Sequence, residues 1–267
     1  MITGEITKQR MEGWKFISSE AGGLHEVIVP QKADCEQVYI YRLNMSAGES
    51  FTLKSGEKEM NAACVAGGGS VKTSAFDTAF VKLDSFYITK DTEVVIHADE
   101  DVIFYIGAAI DEGYGSSYFR KFDLSLPIGE VHQIHGKGVG EREVFMTVNP
   151  EAPASRLLAG LTWSRNGTWT SWPPHQHEND LEEAYCYFDM PKPSFGMHLS
   201  YIDAGDVDNV VVHTVSSGTM ILAPRGYHPT VASPGSINAY FWVLAAHSHK
   251  SRRYDLAVLD PKRADKN

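Results

Sequence analysis

The sequence predicts an all-β chain, and three observations carry that expectation. Short runs rich in Val, Ile, Tyr and Phe recur along its 267 residues, clusters of Gly, Pro, Asp and Ser separate them, and hardly any segment shows a helical period. So many strands in one chain of this length suit two antiparallel sandwiches or barrels better than one giant sheet.

Strands are expected at 37–43, 86–88, 93–97, 102–106 and 143–148, then at 157–163, 183–188, 196–202, 209–215, 219–223 and 239–244. Helix is expected only as one or two short pieces, in 4–11 and around Asp180. A weak repeat organises these elements. Residues 84–88, 94–98 and 102–107 give strand, turn, strand, turn, strand, and residues 218–222, 228–232 and 239–243 give the same order. Two copies of one architecture follow, with the break at 123–130, where Leu126-Pro127-Ile128-Gly129 interrupts the pattern. The Gly67-Gly68-Gly69 run precedes no helical pattern, so a hairpin turn explains it better than a phosphate cradle.

The charge balance narrows the partners. With 24 Lys plus Arg against 34 Asp plus Glu, the formal net charge is −10, and a nucleic-acid partner is not expected. The densest basic run, Lys250-Ser251-Arg252-Arg253, is expected to be a solvated tail. No apolar export signal and no apolar window of spanning length is visible, so a cytoplasmic protein with no membrane partner is expected. Cys35, Cys64 and Cys186 are odd in number, widely spaced and without a CxxC pair, which fits reduced thiols.

Nine of the eleven histidines lie at or beyond His132, so imidazole chemistry belongs to the second half. The sharpest cluster is Pro173-Pro174-His175-Gln176-His177, followed by Leu181-Glu182-Glu183. On a strand His175 and His177 share a face, and two imidazoles so placed chelate a divalent ion at about 2.0 to 2.1 Å per nitrogen. Glu183 heads a strand that sets Glu183, Tyr185 and Tyr187 on one face, while Glu182 faces the other way or sits in the preceding loop. Further on, Pro224-Arg225-Gly226-Tyr227-His228 reads as a tight hairpin that returns His228 to the same place. His247 and His249 form a second HxH with no Glu at the needed distance and are expected at the surface.

An HxH followed by Glu, then a Gly-to-His turn, resembles the two signature motifs of the cupin superfamily. Gly167-Thr168-Trp169-Thr170-Ser171-Trp172-Pro173-Pro174-His175-Gln176-His177, Leu181-Glu182-Glu183-Ala184-Tyr185 and Pro224-Arg225-Gly226-Tyr227-His228-Pro229 narrow the resemblance to the 5-deoxy-glucuronate isomerase family of inositol breakdown. Upstream, His132-Gln133 and Glu141-Arg142-Glu143-Val144 fit the same pattern. That family groups with the 4-deoxy-L-threo-5-hexosulose-uronate ketol-isomerases of pectin breakdown. The resemblance implies a bicupin, with an N-terminal barrel over 1–123 lacking the metal motif and a C-terminal barrel over 124–267 holding it. It implies a metal set of His175, His177, Glu183 and His228, with Glu182 as the alternative carboxylate, around one divalent ion, zinc before manganese, iron or nickel. Two departures bear on the substrate loops: Cys186 to Pro193 replaces an aromatic-His-Arg stretch, and Ala245 to Lys250 replaces a Gly-Pro-containing turn.

The implied reaction is aldose–ketose isomerisation of a deoxy sugar acid, 5-deoxy-D-glucuronate first, with the pectin-pathway uronate, another metal-cupin reaction or non-catalytic sugar binding as the competing readings. Moving a proton between adjacent carbons needs an acid/base group near the metal, and Glu182, Glu183 and Tyr185 are the candidates. A uronate carboxylate needs a cationic partner, for which Arg142 and Arg225 are placed by sequence. His213 and Tyr240 complete the substrate-binding candidates, although strand aromatics are commonly core. His132 and His135 are close enough in sequence to reach the cavity. Long strand edges in such folds are often covered by a partner, so a homo-oligomer is expected.

Overall fold

The computed structural model describes residues 4–164 and 167–264. Nearly all of its regular structure is strand; helix is confined to Lys8–Glu12, capped by the Thr7 side chain, and three short 3-10 turns. The second expected helix is absent, because Asp180 lies in a turn closed by bonds from the Asp180 and Leu181 amides to the His177 carbonyl. No helix among the described residues is long and apolar enough to cross a membrane.

Two pairs of antiparallel sheets repeat one strand order. The first large sheet runs Tyr118–Arg120, Ser85–Ile88, Lys58–Ala66, Val102–Ile110, Tyr39–Met45, Gly23–Ile28. The second runs Lys15–Ile17, Thr219–Ala223, Leu181–Tyr187, Asn238–Ala246, Leu157–Ser164, Arg142–Val148, and then one extra strand, His132–His135. The small sheets match too: Ser50–Lys54, Glu93–Ala98, Gly69–Lys72, Asp77–Phe80 against Trp169–Thr170, Thr230–Ala232, Gly196–Ser200, Val211–Val215. The internal echo in the sequence is therefore a topological repeat, with the outer two members of each triplet in the large sheet and the middle one in the small sheet. Lys15–Ile17, the first strand of the chain, joins the second large sheet.

Burial explains the sequence patterns. Strands of the small sheets alternate, as in Glu93–Ala98 and Val211–Val215, because one face meets solvent. Central strands of the large sheets, Lys58–Ala66 and Asn238–Ala246, are buried on both faces, and the second reads as a continuous apolar run after Asn238. The two large sheets share a core in which Ile40, Tyr105 and Ala109 meet Phe145, Ala184 and Phe241. Gly107 makes the close approach possible, since a Cβ there would lie 2.4 Å from Val243 Cγ2.

Two carboxylates lace the halves together in a reciprocal way. Glu182 accepts the backbone N–H groups of Glu36 at 2.8 Å, Gln37 at 2.7 Å and Val38 at 3.1 Å, just before the strand Tyr39–Met45. Glu59 accepts those of Ser155 at 2.8 Å, Arg156, and Leu157 at 2.9 Å, at the start of the equivalent strand Leu157–Ser164, and also takes the Tyr87 hydroxyl. Gln37 and Arg156 meet between the clamps, with Arg156 Nη1 donating to Gln37 Oε1 at 2.7 Å. A hydrogen bond to a charged group contributes about 1.5–3 kcal/mol, so three per carboxylate counter part of the desolvation, which still raises both carboxyls above their usual range.

Both glycine-rich turns differ from expectation. Gly67 to Gly69 joins strands of different sheets, and so does the segment from Pro224 to His228. Each is a corner between layers, because the strand after it enters the facing small sheet. At the first corner a Cβ on Gly69 would lie 2.0 Å from the His97 carbonyl oxygen.

Candidate metal centre

The corner at 224–228 sets the first coordinate of the site. Gly226 has φ +74, and a Cβ on it would lie 2.4 Å from the Tyr201 carbonyl oxygen; Tyr227 and Tyr201 exchange backbone hydrogen bonds at 2.8 and 3.1 Å. His228 follows directly and is buried. From the opposite side, the short strand His175–Gln176 pairs with Val258–Leu259 and presents His175, with His177 just beyond its end. Glu183, in the middle of Leu181–Tyr187, comes up between them.

One ligand atom from each of His175, His177, Glu183 and His228 lies within 4.8 Å of the others. Glu183 Oε2 is 3.0 Å from His177 Nε2 and 3.0 Å from His228 Nε2. The His228 Nε2 nevertheless makes no hydrogen bond of acceptable direction, and it is fully buried. Its other nitrogen, Nδ1, is 2.9 Å from the Gly226 carbonyl, and His175 Nδ1 is 3.0 Å from the Pro173 carbonyl. Each carbonyl fixes Nδ1 as the protonated nitrogen and leaves the Nε2 lone pair aimed at the cluster. Burial and the neighbouring imidazoles push His175 down to about 3. Burial works to raise Glu183, but the His177 and His228 imidazoles outweigh it and hold the carboxyl well below its usual range. Three imidazoles and one ionised carboxylate, with one ligand atom of each within 4.8 Å of the others, form the donor set a divalent cation requires, so the residues fit a metal.

His175, His177 and Glu183 form part of the wall of a cavity of about 220 Å³. Arg142, His135, Thr162, Ser171, Tyr185, Tyr240 and Tyr254 give that cavity its polar wall. Arg142 is held by its Nη1, which donates to the Trp172 carbonyl at 2.9 Å and the Gly140 carbonyl at 3.2 Å. The Tyr185 hydroxyl donates to Ser171 Oγ at 3.2 Å. Burial first, and the Glu183 charge second, keep the Tyr185 phenol protonated, with a pKa far above its ordinary value. Tyr240 is raised by burial in the same way.

Comparison with known proteins follows the same lines. A family model described as KduI/IolB matches residues 16–261. The chain belongs to the KduI/IolB family. Among its relatives, the 5-deoxy-glucuronate isomerase of Geobacillus kaustophilus is 35% identical over 128 residues; that alignment spans just under half of either protein, 45% of this chain and 46% of the relative. The 5-deoxy-glucuronate isomerase of Bacillus subtilis strain 168 is 25% identical over 248 residues, 87% of this chain and 89% of the relative. Among solved structures, an IolB-like protein from Salmonella typhimurium LT2 is 26% identical with a TM-score of 0.79, covering 93% of this chain and 96% of that one. An oxalate decarboxylase shares the fold alone, at 13% identity and a TM-score of 0.63 over 96% of this chain and 80% of that one.

For this KduI/IolB chain, the structure brings together His175, His177, Glu183, His228, Tyr185, Arg142 and Tyr240. Three other candidates lie elsewhere. Glu182 points away from the cavity, because consecutive strand residues face opposite sides and its carboxylate is occupied by the amides of 36–38. Arg225 does not line the cavity, and its Nε lies 3.6 Å from Glu178. His213 is buried in a small-sheet strand opposite His198, and burial pushes it down to about 4. His135 reaches the cavity, whereas His132 is held outside by Glu143 at 2.8 Å. His247 and His249 are half-buried, with His249 stacked on Tyr114 at 3.9 Å.

The expected solvated tail is the largest omission. Arg252 is buried and donates to the carbonyls of Leu157, Pro150 and Asn149 at 2.7 to 2.8 Å. Asp260, also buried, takes the Tyr201 hydroxyl and Arg263. Between these anchors the chain lays Tyr254, Ala257 and Leu259 along the cavity. The alternation Val258-Leu259 before Asp260-Pro261 was the available strand signal, and it is only two residues long.

Proposed function

We propose that this chain is a metal-dependent aldose–ketose isomerase of a deoxy sugar acid, with 5-deoxy-D-glucuronate converted to 5-dehydro-2-deoxy-D-gluconate. The observation that carries the proposal is the convergence of His175, His177, Glu183 and His228, the first three of which line a cavity that also holds Arg142. The relatives' names support the substrate class. Three nitrogens and one carboxylate suit zinc first, and manganese, iron or nickel after it. A bound divalent cation supplies an electrophile for the carbonyl and hydroxyl oxygens of the sugar.

The protein's own residues do the rest. Arg142, already oriented by the Trp172 carbonyl, offers its remaining N–H groups to the substrate carboxylate. Tyr185 and Tyr240, protonated at neutral pH, give hydrogen bonds to sugar oxygens and cannot accept a proton. Proton uptake therefore falls to Glu183 or to His135, whose burial and nearness to Arg142 keep it neutral. Trp242, Leu244 and Leu259 exclude water from that transfer.

The two sheet pairs correspond to two cupin barrels, 1–123 and 124–267, with Lys15–Ile17 crossing from the first to the large sheet of the second. The three thiols are free and buried, which suits a reducing cytoplasm, and the edge strand His132–His135 offers a place for a second copy in a homo-oligomer. The test is an NMR assay of the zinc-loaded protein with 5-deoxy-D-glucuronate and with the pectin-derived 5-dehydro-4-deoxy-D-glucuronate. Conversion of the first supports the reading, conversion of the second alone replaces the substrate, and binding without turnover of either overturns the enzyme.

A further inference from the structure

The N-terminal half contributes no residue to the metal set, yet it is bonded one residue away from it. Glu182 and Glu183 are consecutive on the strand Leu181–Tyr187, and their side chains leave it on opposite faces. On one face Glu182 holds three amides of the N-terminal half at 2.7 to 3.1 Å; on the other Glu183 lies 3.0 Å from two imidazoles. The peptide unit between them is thus fixed from both sides.

We propose that Glu182 is a positioning residue for Glu183, and that the amides of 36–38 are what the N-terminal half supplies to the metal centre. The proposal rests on the metal-centre reading above. Glu59 separates this role from mere stability, because it grips 155–157 in the same way but is followed by Met60, which packs in the N-terminal apolar core. The two pairs also hold the same register, Glu182 opposite Ala245 and Glu183 opposite Leu244, as Glu59 is opposite Ala109 and Met60 opposite Ala108. Each clamp ties the halves together, and only one of them adjoins a ligand. A glutamine at either position turns one acceptor oxygen into an N–H donor. Glu59 uses both oxygens for amides and also takes the Tyr87 hydroxyl, whereas Glu182 gathers its three amides on Oε2, so Glu59→Gln loosens its strand at least as much as Glu182→Gln.

The experiment measures zinc affinity of the full chain by chelator competition, alongside its thermal midpoint without metal. Both Glu182→Gln and Glu59→Gln are expected to lower the midpoint, Glu59→Gln at least as much. Only Glu182→Gln is expected to weaken zinc binding, by about 10- to 100-fold, as loss of a group supporting a ligand does. Should the glutamine variants fail to fold, Glu182→Asp and Glu59→Asp keep the charge with a shorter reach, and the same contrast is expected on a smaller scale. Unchanged zinc affinity in the Glu182 variant, or equal weakening in both, overturns the positioning role alone. A wild-type chain that binds no zinc overturns the metal centre together with it.

Discussion

The two halves of this chain share a strand order and a carboxylate clamp, and they differ where chemistry is concerned. After the clamp residue, the N-terminal half has Met60 in an apolar core and the C-terminal half has Glu183 among three imidazoles. The N-terminal half spends its layer interior on Phe86, Ile96 and Phe104, whereas the C-terminal half lines a cavity with Arg142, Tyr185 and Tyr240. The fold therefore does not depend on the site: the same sheets close over hydrocarbon in one copy and over a buried ion-pair cluster in the other.

Exchanging the residues after the clamps gives the largest expected effect. Glu183→Met should abolish metal binding and lower isomerase activity on the order of 10³-fold, the scale of losing a group that stabilises developing charge. The apo protein should be less stable than wild type, because His177 and His228 lose the buried carboxylate they face. Met60→Glu should gain no metal and lower stability by about 3–5 kcal/mol, since an unpaired charge would sit among Leu43, Phe86 and Phe104. Elemental analysis and denaturant unfolding of both variants check this. Metal retained by Glu183→Met would remove the contrast between the halves.

A smaller effect is expected from Tyr185→Phe. The hydroxyl contacts Ser171 and no metal-set atom, so the metal should stay while activity falls about 10²-fold. Equal loss of metal and activity would mean that Tyr185 supports the ligands rather than the substrate. Steady-state rates and metal content of the same preparation decide it.

How much of this was legible in the sequence follows from how local each cause is. The strands 219–223 and 93–98 showed themselves because alternation or an apolar run is a local pattern, and the HxH, Glu and Gly-to-His corner named the metal set because those ligands lie at fixed short spacings. Glu182 and Glu183 could not be told apart as ligands, since only the register with Ala245 and Leu244 decides which one faces the imidazoles. Arg225 was misplaced because a residue's direction at a layer corner depends on the backbone reversal at Gly226. The segment 252–260 was missed because its order comes from two buried charged residues whose partners are carbonyls and hydroxyls more than 50 residues away.

The weakest expected effect concerns the large-sheet strand that only one half has. The first large sheet ends at Gly23–Ile28, while its counterpart Arg142–Val148 bears the additional His132–His135, which carries His135 to the cavity. His132 secures that strand: Nδ1 lies 2.9 Å from the Leu126 carbonyl and Nε2 lies 2.8 Å from Glu143 Oε1. The Leu126 carbonyl, ahead of Glu143 and against some burial, raises its pKa above the value of about 6.5 that a free histidine has. A raised folded-state pKa means the imidazolium form stabilises the fold, fully below pH ~6.5, and that this contribution fades as pH rises through the folded value. Thermal midpoints of wild type and His132→Gln, both in the same metal state, should therefore differ most near pH 6 and converge toward pH 9, with the wild type the more stable at the acidic end. A gap that is constant across this range would show that His132 holds the extra strand by its neutral hydrogen bonds alone.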